Sequence, residues 1–231
     1  MKQLFHLIRH DFTILNRNRI IILSLLISAL YIGAFSVLSA FDQVEKLLIL
    51  VIYNDPALLG VLFTGVLVLF EKNENTLQAL SVSPIKISNY VLSKSIALTL
   101  VALFCSFLMA FAGHGFNFNY LHFGAGVLLS TLMFSFIGFC IVASHDTFNK
   151  YMLVAVGVIV VFLMPFIGFF EFVSDTFFWI FPTQPGIKLL SASFAPEKAL
   201  DLTVAYLLGL FWCFVFYKWA VSRITKKLKS Q

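Results

Sequence analysis

Acidic side chains are scarce in the apolar runs of this sequence, so an acid inside such a run is a candidate for chemistry. Asp55 is the one such acid, and it belongs to the tripeptide Asn54-Asp55-Pro56. If this run crosses a membrane, a charge within it costs about 2.5–3.5 kcal/mol, and residues of that kind usually face a cavity or mark function. Asp-Pro also starts helices well, with the aspartate as N-cap. Asp55 is therefore either a helix cap near the outer surface or a residue of a possible translocation path.

The residue sets of common active sites are absent from the sequence. It contains no G-x-x-x-x-G-K-S/T phosphate loop, no H-E-x-x-H and no G-x-S-x-G. Its histidines do not pair at metal-ligand spacing, and its cysteines lie in separate apolar runs; these residues are His6, His10, His114, His122, His145, Cys105, Cys140 and Cys213. We therefore predict a chain that is not an enzyme and that binds no metal, no cofactor and no ATP itself.

The composition is that of a membrane protein. Hydrophobic residues make up 60% of the chain and charged residues 12%, whereas soluble domains carry about 25% charged residues. A helix needs about 20 apolar residues to cross a hydrocarbon core of about 30 Å. We predict an all-α, single-domain polytopic membrane protein with six spans, at residues 20–41, 47–70, 91–112, 121–143, 151–170 and 199–221.

Two further segments flank these spans. Residues 1–19 place apolar side chains on one helical face and basic ones elsewhere, which predicts an amphipathic helix in the membrane interface; the apolar set is Leu4, Phe5, Ile8, Phe12 and Leu15. The alternative is a basic flank that only sets topology. Residues 171–196 are rich in proline and too short in apolar sequence to cross, so we predict an outer segment that lies at the surface or forms a re-entrant hairpin.

The basic residues set the predicted orientation. Thirteen of the sixteen lie at the chain ends and in alternate loops, and the other three are Lys46, Lys188 and Lys198. Cytoplasmic loops carry an excess of lysine and arginine. The pattern predicts a multi-pass protein of the cytoplasmic (inner) membrane with both termini cytoplasmic.

One cytoplasmic loop, residues 71–90, is long enough to hold a structure of its own. Asn75 to Val82 can form a short helix whose small apolar edge is Leu77 and Leu80, and Ser83-Pro84 then breaks it. An exposed apolar edge of this kind can dock into a groove on a partner. The alternative is a loop that folds back on its own bundle.

The same loop carries a family resemblance. Glu71 and Glu74 precede Thr76-Leu77-Gln78-Ala79-Leu80, then Ser83-Pro84, and then Tyr90 and Lys94 at the next span. This order resembles type-2 ABC exporter permeases, above all the small drug export permeases of the fluoroquinolone type. That family also has six spans, an N-terminal amphipathic connecting helix and a short outer re-entrant segment. The break at Asn54-Asp55-Pro56 departs from the pattern.

The resemblance implies a mechanism. Two permease chains, identical or related, would pair and bind a separate ATP-binding subunit, so that ATP sits on the partner. Glu71, Glu74, Leu77, Leu80, Ser83 and Pro84 would form the coupling segment in that subunit's groove. ATP-driven closure would then tilt the bundle and move an amphipathic or hydrophobic substrate across or out of the membrane.

Other functions fit the residues less well. A structural or anchoring subunit would need no ATPase. An ion-coupled transporter would need several charges deep in its spans, and only Asp55 is a candidate. Nothing in the sequence indicates a nucleic-acid partner; the lipid bilayer is the expected surroundings.

Overall fold

The computed structural model describes residues 2–38, 44–74, 76 and 85–229, and within them the regular secondary structure is helical, without a strand. The first half contains α1 (Lys2–Arg17), α2 (Ile20–Leu38), α3 (Val44–Ala57), a π-helix (Leu58–Phe63), α4 (Thr64–Asn73) and α5 (Ile87–His114). The second half contains α6 (Tyr120–Val142), α7 (Phe148–Phe162), α8 (Phe166–Phe169), a 3-10 helix (Asp175–Ile180), α9 (Gln184–Phe194) and α10 (Ala199–Lys229).

The number of membrane-crossing elements agrees with the prediction. Five stretches are long and apolar enough to cross: Lys46–Asn73, Ile87–His114, Tyr120–Val142, Phe148–Phe169 and Ala199–Leu228. The pair of α1 and α2, bent by 66°, raises the number to as many as six if it is counted as one span. The all-helical membrane fold with an N-terminal helix is therefore confirmed, with five to six candidate spans.

The corner between α1 and α2 is sharp. Arg19 has a φ of 57°, in the left-handed region that residues with a side chain seldom adopt. On the N-terminal side of this corner, α1 packs along α5. Leu15 and Asp11 are buried in this contact, whereas Phe5 is 70% exposed.

The second span is one continuous helix, which bears on the interpretation of Asp55 as a helix cap. Pro56 lies inside α3, and the π-helix and α4 follow directly. The N-cap interpretation is therefore wrong. Its physical basis fails because proline is tolerated inside membrane helices, where neighbouring helices and local π-helical adjustments satisfy the freed backbone groups.

The central helix is α6, which packs against α3, α5, α9, α10 and the π-helix. Of its apolar window, 78% is buried, against 28% for the stretch containing α7 and 22% for α10. Gly60 permits a close approach of the second span to α6, since a Cβ atom there would lie 2.6 Å from Cβ of Phe134 and 2.9 Å from the Ser135 nitrogen. The fifth and sixth spans thus leave most of their surface exposed on the outside of the bundle.

The segment between the last two spans turns back into the bundle. Most of α9 is buried, and it packs against α6 and α10. Gly186 lies so close to the Ser130 hydroxyl and the Tyr53 ring that a side chain would not fit. The re-entrant form of the outer segment is the one present.

Candidate functional site

A buried ion cluster lies at one end of the bundle. Nζ of Lys94, in α5, is 2.8 Å from Oδ1 of Asp11 in α1 and 2.5 Å from Oε1 of Glu71 in α4. The Tyr90 hydroxyl donates to Oε2 of Glu71 at 2.6 Å. We call these four residues the ion cluster. They join α1 to α4 and α5, two helices that come much later in the sequence.

The ion cluster is largely dry. The side chains of Lys94, Asp11 and Glu71 are 1%, 6% and 14% exposed. Two carboxylates and one ammonium group leave it with one net negative charge, and Oδ2 of Asp11 has no hydrogen-bond partner among the described residues. Removing one member of a buried ion pair leaves an uncompensated charge, which is strongly destabilising. The cluster therefore fixes α1 to α4 and α5.

Local sequence explains how each member reaches the cluster. Tyr90 and Lys94 are four residues apart, so they share one face of α5. Glu71 lies in the last turns of α4.

Asp11 was not predicted as a site residue, although a signal existed: it lies three residues after Ile8 and four before Leu15, on the apolar face of α1. A lone acid on an apolar face calls for a buried partner.

The predicted coupling residues begin at the cluster. Glu71 is a member of it, and Glu74 lies 3.5 Å from Arg17 in an exposed ion pair. The Thr76 hydroxyl donates to the Glu71 carbonyl at 2.9 Å. The other four predicted coupling residues, Leu77, Leu80, Ser83 and Pro84, lie outside the described residues, as does most of the predicted helix from Asn75 to Val82.

A second ionic contact lies at the same end. Asp146, between α6 and α7, accepts from Lys72 at 2.5 Å and from Lys227 at 2.8 Å. Hydrogen bonds from Lys227 and Lys72 lower the pKa of Asp146 to about 2. These contacts join the end of the second span to the end of the sixth. We call the end that carries Arg17, Lys72, Lys94 and Lys227 the basic end.

Three hydroxyl groups extend from the ion cluster into the apolar interior. Ser95 adjoins Lys94, and its hydroxyl is 2.8 Å from that of Ser135, which is also 2.8 Å from the Thr64 hydroxyl. All three residues are buried. They connect α5, α6 and α4 through side-chain hydrogen bonds that sequence reasoning did not predict, because single serines in apolar helices carry no spacing signal.

Asp55 lies apart from the ion cluster. It is 16 residues from Glu71 along one continuous helical span, or about 24 Å at the usual rise. Only 2% of Asp55 is exposed, and its Oδ2 has no partner among the described residues. Next to it, Asn54 donates to the Tyr31 hydroxyl at 2.9 Å. The structure therefore places a carboxyl group in the interior where the first and second spans meet.

The opposite end carries charges of its own. Lys46, at the start of the second span, is 2.6 Å from Glu171 in the outer segment. A cavity of about 400 Å³ lies beside this pair and is also lined by Lys188 and Glu197. Within the described ranges, no group of three or more histidine, cysteine or acidic residues is placed to hold a metal ion.

Comparison with known proteins identifies the family. The sequence model of the fluoroquinolones export permease protein family matches residues 2–227. The chain belongs to this family. The match includes the amphipathic helix, all six spans and the ion cluster, so the permease fold and the candidate site lie inside the matched region.

Two curated relatives of the permease come from two strains of Mycobacterium tuberculosis. Each is named a fluoroquinolones export permease protein and is 29% identical over 157 residues. The aligned region is 68% of this permease and 66% of each relative, so it spans just under two thirds of their length. The resemblance inferred from the loop residues is confirmed at the level of a small drug export permease.

Proposed function

We propose that this permease is the membrane subunit of an ATP-binding cassette exporter whose ATPase is a separate polypeptide. The observation that supports this best is the ion cluster. It ties Glu71, at the start of the predicted coupling segment, to Lys94 just beyond its end, and ties both to Asp11 in α1. A segment held at both ends in this way is suited to receive a push from outside the membrane and pass it on.

The proposed orientation places the basic end in the cytoplasm of the inner membrane. Both chain ends and the predicted coupling segment then face the compartment that holds ATP. The ATPase subunit would contact Leu77 and Leu80, and its closure would move α4 and α5 together with α1. The hydroxyl groups of Ser95, Ser135 and Thr64 would carry the displacement to α6, the central helix.

The proposed substrate is an amphipathic or hydrophobic molecule. The curated relatives are named for fluoroquinolones, which makes a fluoroquinolone the first compound to test. The permease would work as a dimer, with itself or with a related chain, and substrate would pass between the two. The many aromatic side chains of the interior suit an apolar cargo; examples are Phe134 and Phe166 beside Tyr53, and Phe162 beside Phe134.

A second candidate function rests on Asp55. Its buried carboxyl group, whose Oδ2 has no partner among the described residues, is one of the several intramembrane ionisable groups that an ion-coupled transporter would need. In the exporter it would line the translocation path instead. Collapse of the proton gradient distinguishes proton-coupled export from ATP-driven export, because it would stop the former at once and leave the latter running while ATP is maintained.

Affinity purification of the permease in mild detergent tests the proposal. We expect an ATP-binding subunit to copurify, identified by mass spectrometry, and the complex to hydrolyse ATP. The double variant Leu77→Asp/Leu80→Asp should lose the subunit or its coupling. A folded permease that purifies alone and gives no hydrolysis with its genomic neighbours' ATPases would contradict the proposal.

A further inference from the structure

Two cavities adjoin at the basic end and share Ser144 and Arg223. One has a volume of about 590 Å³ and a charged lining that includes Lys72, Asp146, Arg223, Lys226 and Lys227. The other has a volume of about 340 Å³ and an apolar lining that includes Ile137, Val154, Val158, Phe162, Phe216 and Trp219. Together they make one groove with a charged end and an apolar end, which we call the lateral groove.

The charged end has an excess of positive charge. Four basic side chains and one carboxylate line it, and that carboxylate, Asp146, is shared by Lys72 and Lys227. Arg223 donates a hydrogen bond to the Ser144 hydroxyl. This bond uses only one of the five N–H donors of the guanidinium group. No carboxylate in the described part of the chain forms an ion pair with Arg223 or Lys226. The groove therefore suits an anion from outside the chain.

The two ends of the groove lie at different depths in the membrane. Phe216, Trp219 and Arg223 follow one another along one face of α10 at spacings of three and four residues. The rise from Phe216 to Arg223 is about 10 Å. Tryptophan is enriched where the membrane meets water, so Trp219 marks the boundary between the apolar and the charged end. A matching ligand has its anionic group at the interface and its apolar part in the hydrocarbon.

The lateral groove opens toward lipid. Its walls are α7 and α10, which belong to the two least buried membrane-crossing stretches. Trp219 is 51% exposed and Val154 is 37% exposed. A molecule already in the bilayer can enter between these helices without crossing water.

We propose that the lateral groove binds an anionic diacyl phospholipid. Its phosphate lies between Arg223 and Lys226, and one acyl chain lies between α7 and α10 against Val158 and Phe162. Basic pockets between helices at the cytoplasmic side suit anionic headgroups. Assignment to the inner leaflet rests on the orientation proposed above, whereas binding itself needs neither an ATPase nor a transported substrate.

Native mass spectrometry of the delipidated permease tests this with phosphatidylglycerol and phosphatidylcholine as probes. We expect phosphatidylglycerol to bind more tightly. In the double variant Arg223→Gln/Lys226→Gln its affinity should fall about 25-fold, or about fivefold for each charge removed near the membrane surface. The control Lys150→Gln removes one positive charge from the exposed start of α7, outside the groove, and should keep wild-type affinity.

A second pair of variants tests the apolar end. Val158→Trp fills the groove, while Val160→Trp adds the same ring at a 60% exposed position of the same helix. Only Val158→Trp should weaken phosphatidylglycerol binding. Equal binding of the two lipids, an equal loss in Lys150→Gln, or loss of a copurifying protein instead of lipid in the double variant would overturn the proposal. So would unchanged lipid binding in both Val158→Trp and the double variant.

Discussion

Nζ of Lys94 lies 2.8 Å from Oδ1 of Asp11, a residue 83 positions earlier in the chain. This contact joins the amphipathic helix to the third span in a nearly dry environment. The same ammonium group also forms an ion pair with Glu71. It therefore joins α4 to α5, the two helices that flank the predicted coupling segment. The arrangement therefore ties α1 to both helices that flank the predicted coupling segment.

Removing the shared ammonium group should be costly. In Lys94→Met, Asp11 and Glu71 remain buried without compensation, and the free energy of unfolding should fall by about 3–5 kcal/mol. Denaturant titration in detergent micelles, followed by circular dichroism, measures this change. Lys150→Met is the matched control, since that lysine is exposed and should tolerate the change.

Removing all the charges of the ion cluster should restore much of that loss. In the triple variant Asp11→Asn/Glu71→Gln/Lys94→Met no buried charge remains, and replacement of a whole buried ionic group is often neutral. A triple variant less stable than Lys94→Met would contradict the view that an uncompensated charge, rather than lost packing, causes the effect.

In the sequence, Glu71, Tyr90 and Lys94 were linked only as successive parts of one family pattern, and no contact among them was predicted. Nothing in their spacing shows that Glu71 and Lys94 touch, because that contact depends on how α4 and α5 pack. Asp11 was missed because the apolar stripe of α1 was interpreted as lipid-facing, while part of it faces α5. Periodicity thus predicts which residues share a face, and tertiary packing decides what that face meets.

Close packing of the second span against α6 gives a test of the fold. Gly60→Ala would place a methyl group 2.6 Å from Cβ of Phe134 and 2.9 Å from a backbone nitrogen, so neighbouring backbone must shift. We expect a loss of about 1–3 kcal/mol in unfolding free energy. Gly157→Ala has nothing within 4 Å of the new atom and should be neutral or slightly stabilising in the same denaturant titration.

Substitution of Asp55 should affect stability and transport in different ways. Asp55→Leu removes a polar group that costs about 2.5–3.5 kcal/mol inside a membrane, so the variant should be at least as stable as the wild type. If Asp55 lines the translocation path, substrate transport should fall at least about tenfold, as measured by uptake into inverted vesicles. Asn54→Leu, which breaks the hydrogen bond to Tyr31, should instead lower stability and leave transport largely intact.

The position of Asp55 illustrates where local sequence rules fail. In water, proline after aspartate favours a helix start, and that rule predicted a cap. In the membrane an interrupted helix would expose unpaired backbone groups to hydrocarbon, so the helix continues through Pro56 as α3 and a π-helix. The membrane environment, rather than the Asp55-Pro56 dipeptide, determines that the helix continues through this position.

The Asp146 contacts predict a defined pH dependence. Lys227 and Lys72 hold the pKa of Asp146 near 2, below the ordinary value of 3.8. Its contribution to stability is therefore fully present above about pH 4 and is lost as the pH falls toward 2. The difference in unfolding free energy between wild type and Asp146→Asn should stay constant from pH 8 to about 5 and shrink below about 4. A difference that already changes between pH 8 and 6 would point to another titrating group.

Transport of a fluoroquinolone into inverted vesicles, driven by ATP in the presence of a protonophore, tests the central claim most directly. Vesicles containing the permease and the proposed ATPase subunit should accumulate the drug, and the Leu77→Asp/Leu80→Asp variant should hydrolyse ATP without accumulating it. Accumulation that needs the proton gradient but not ATP, or that is unchanged in the double variant, would contradict coupling through the segment between Glu71 and Lys94.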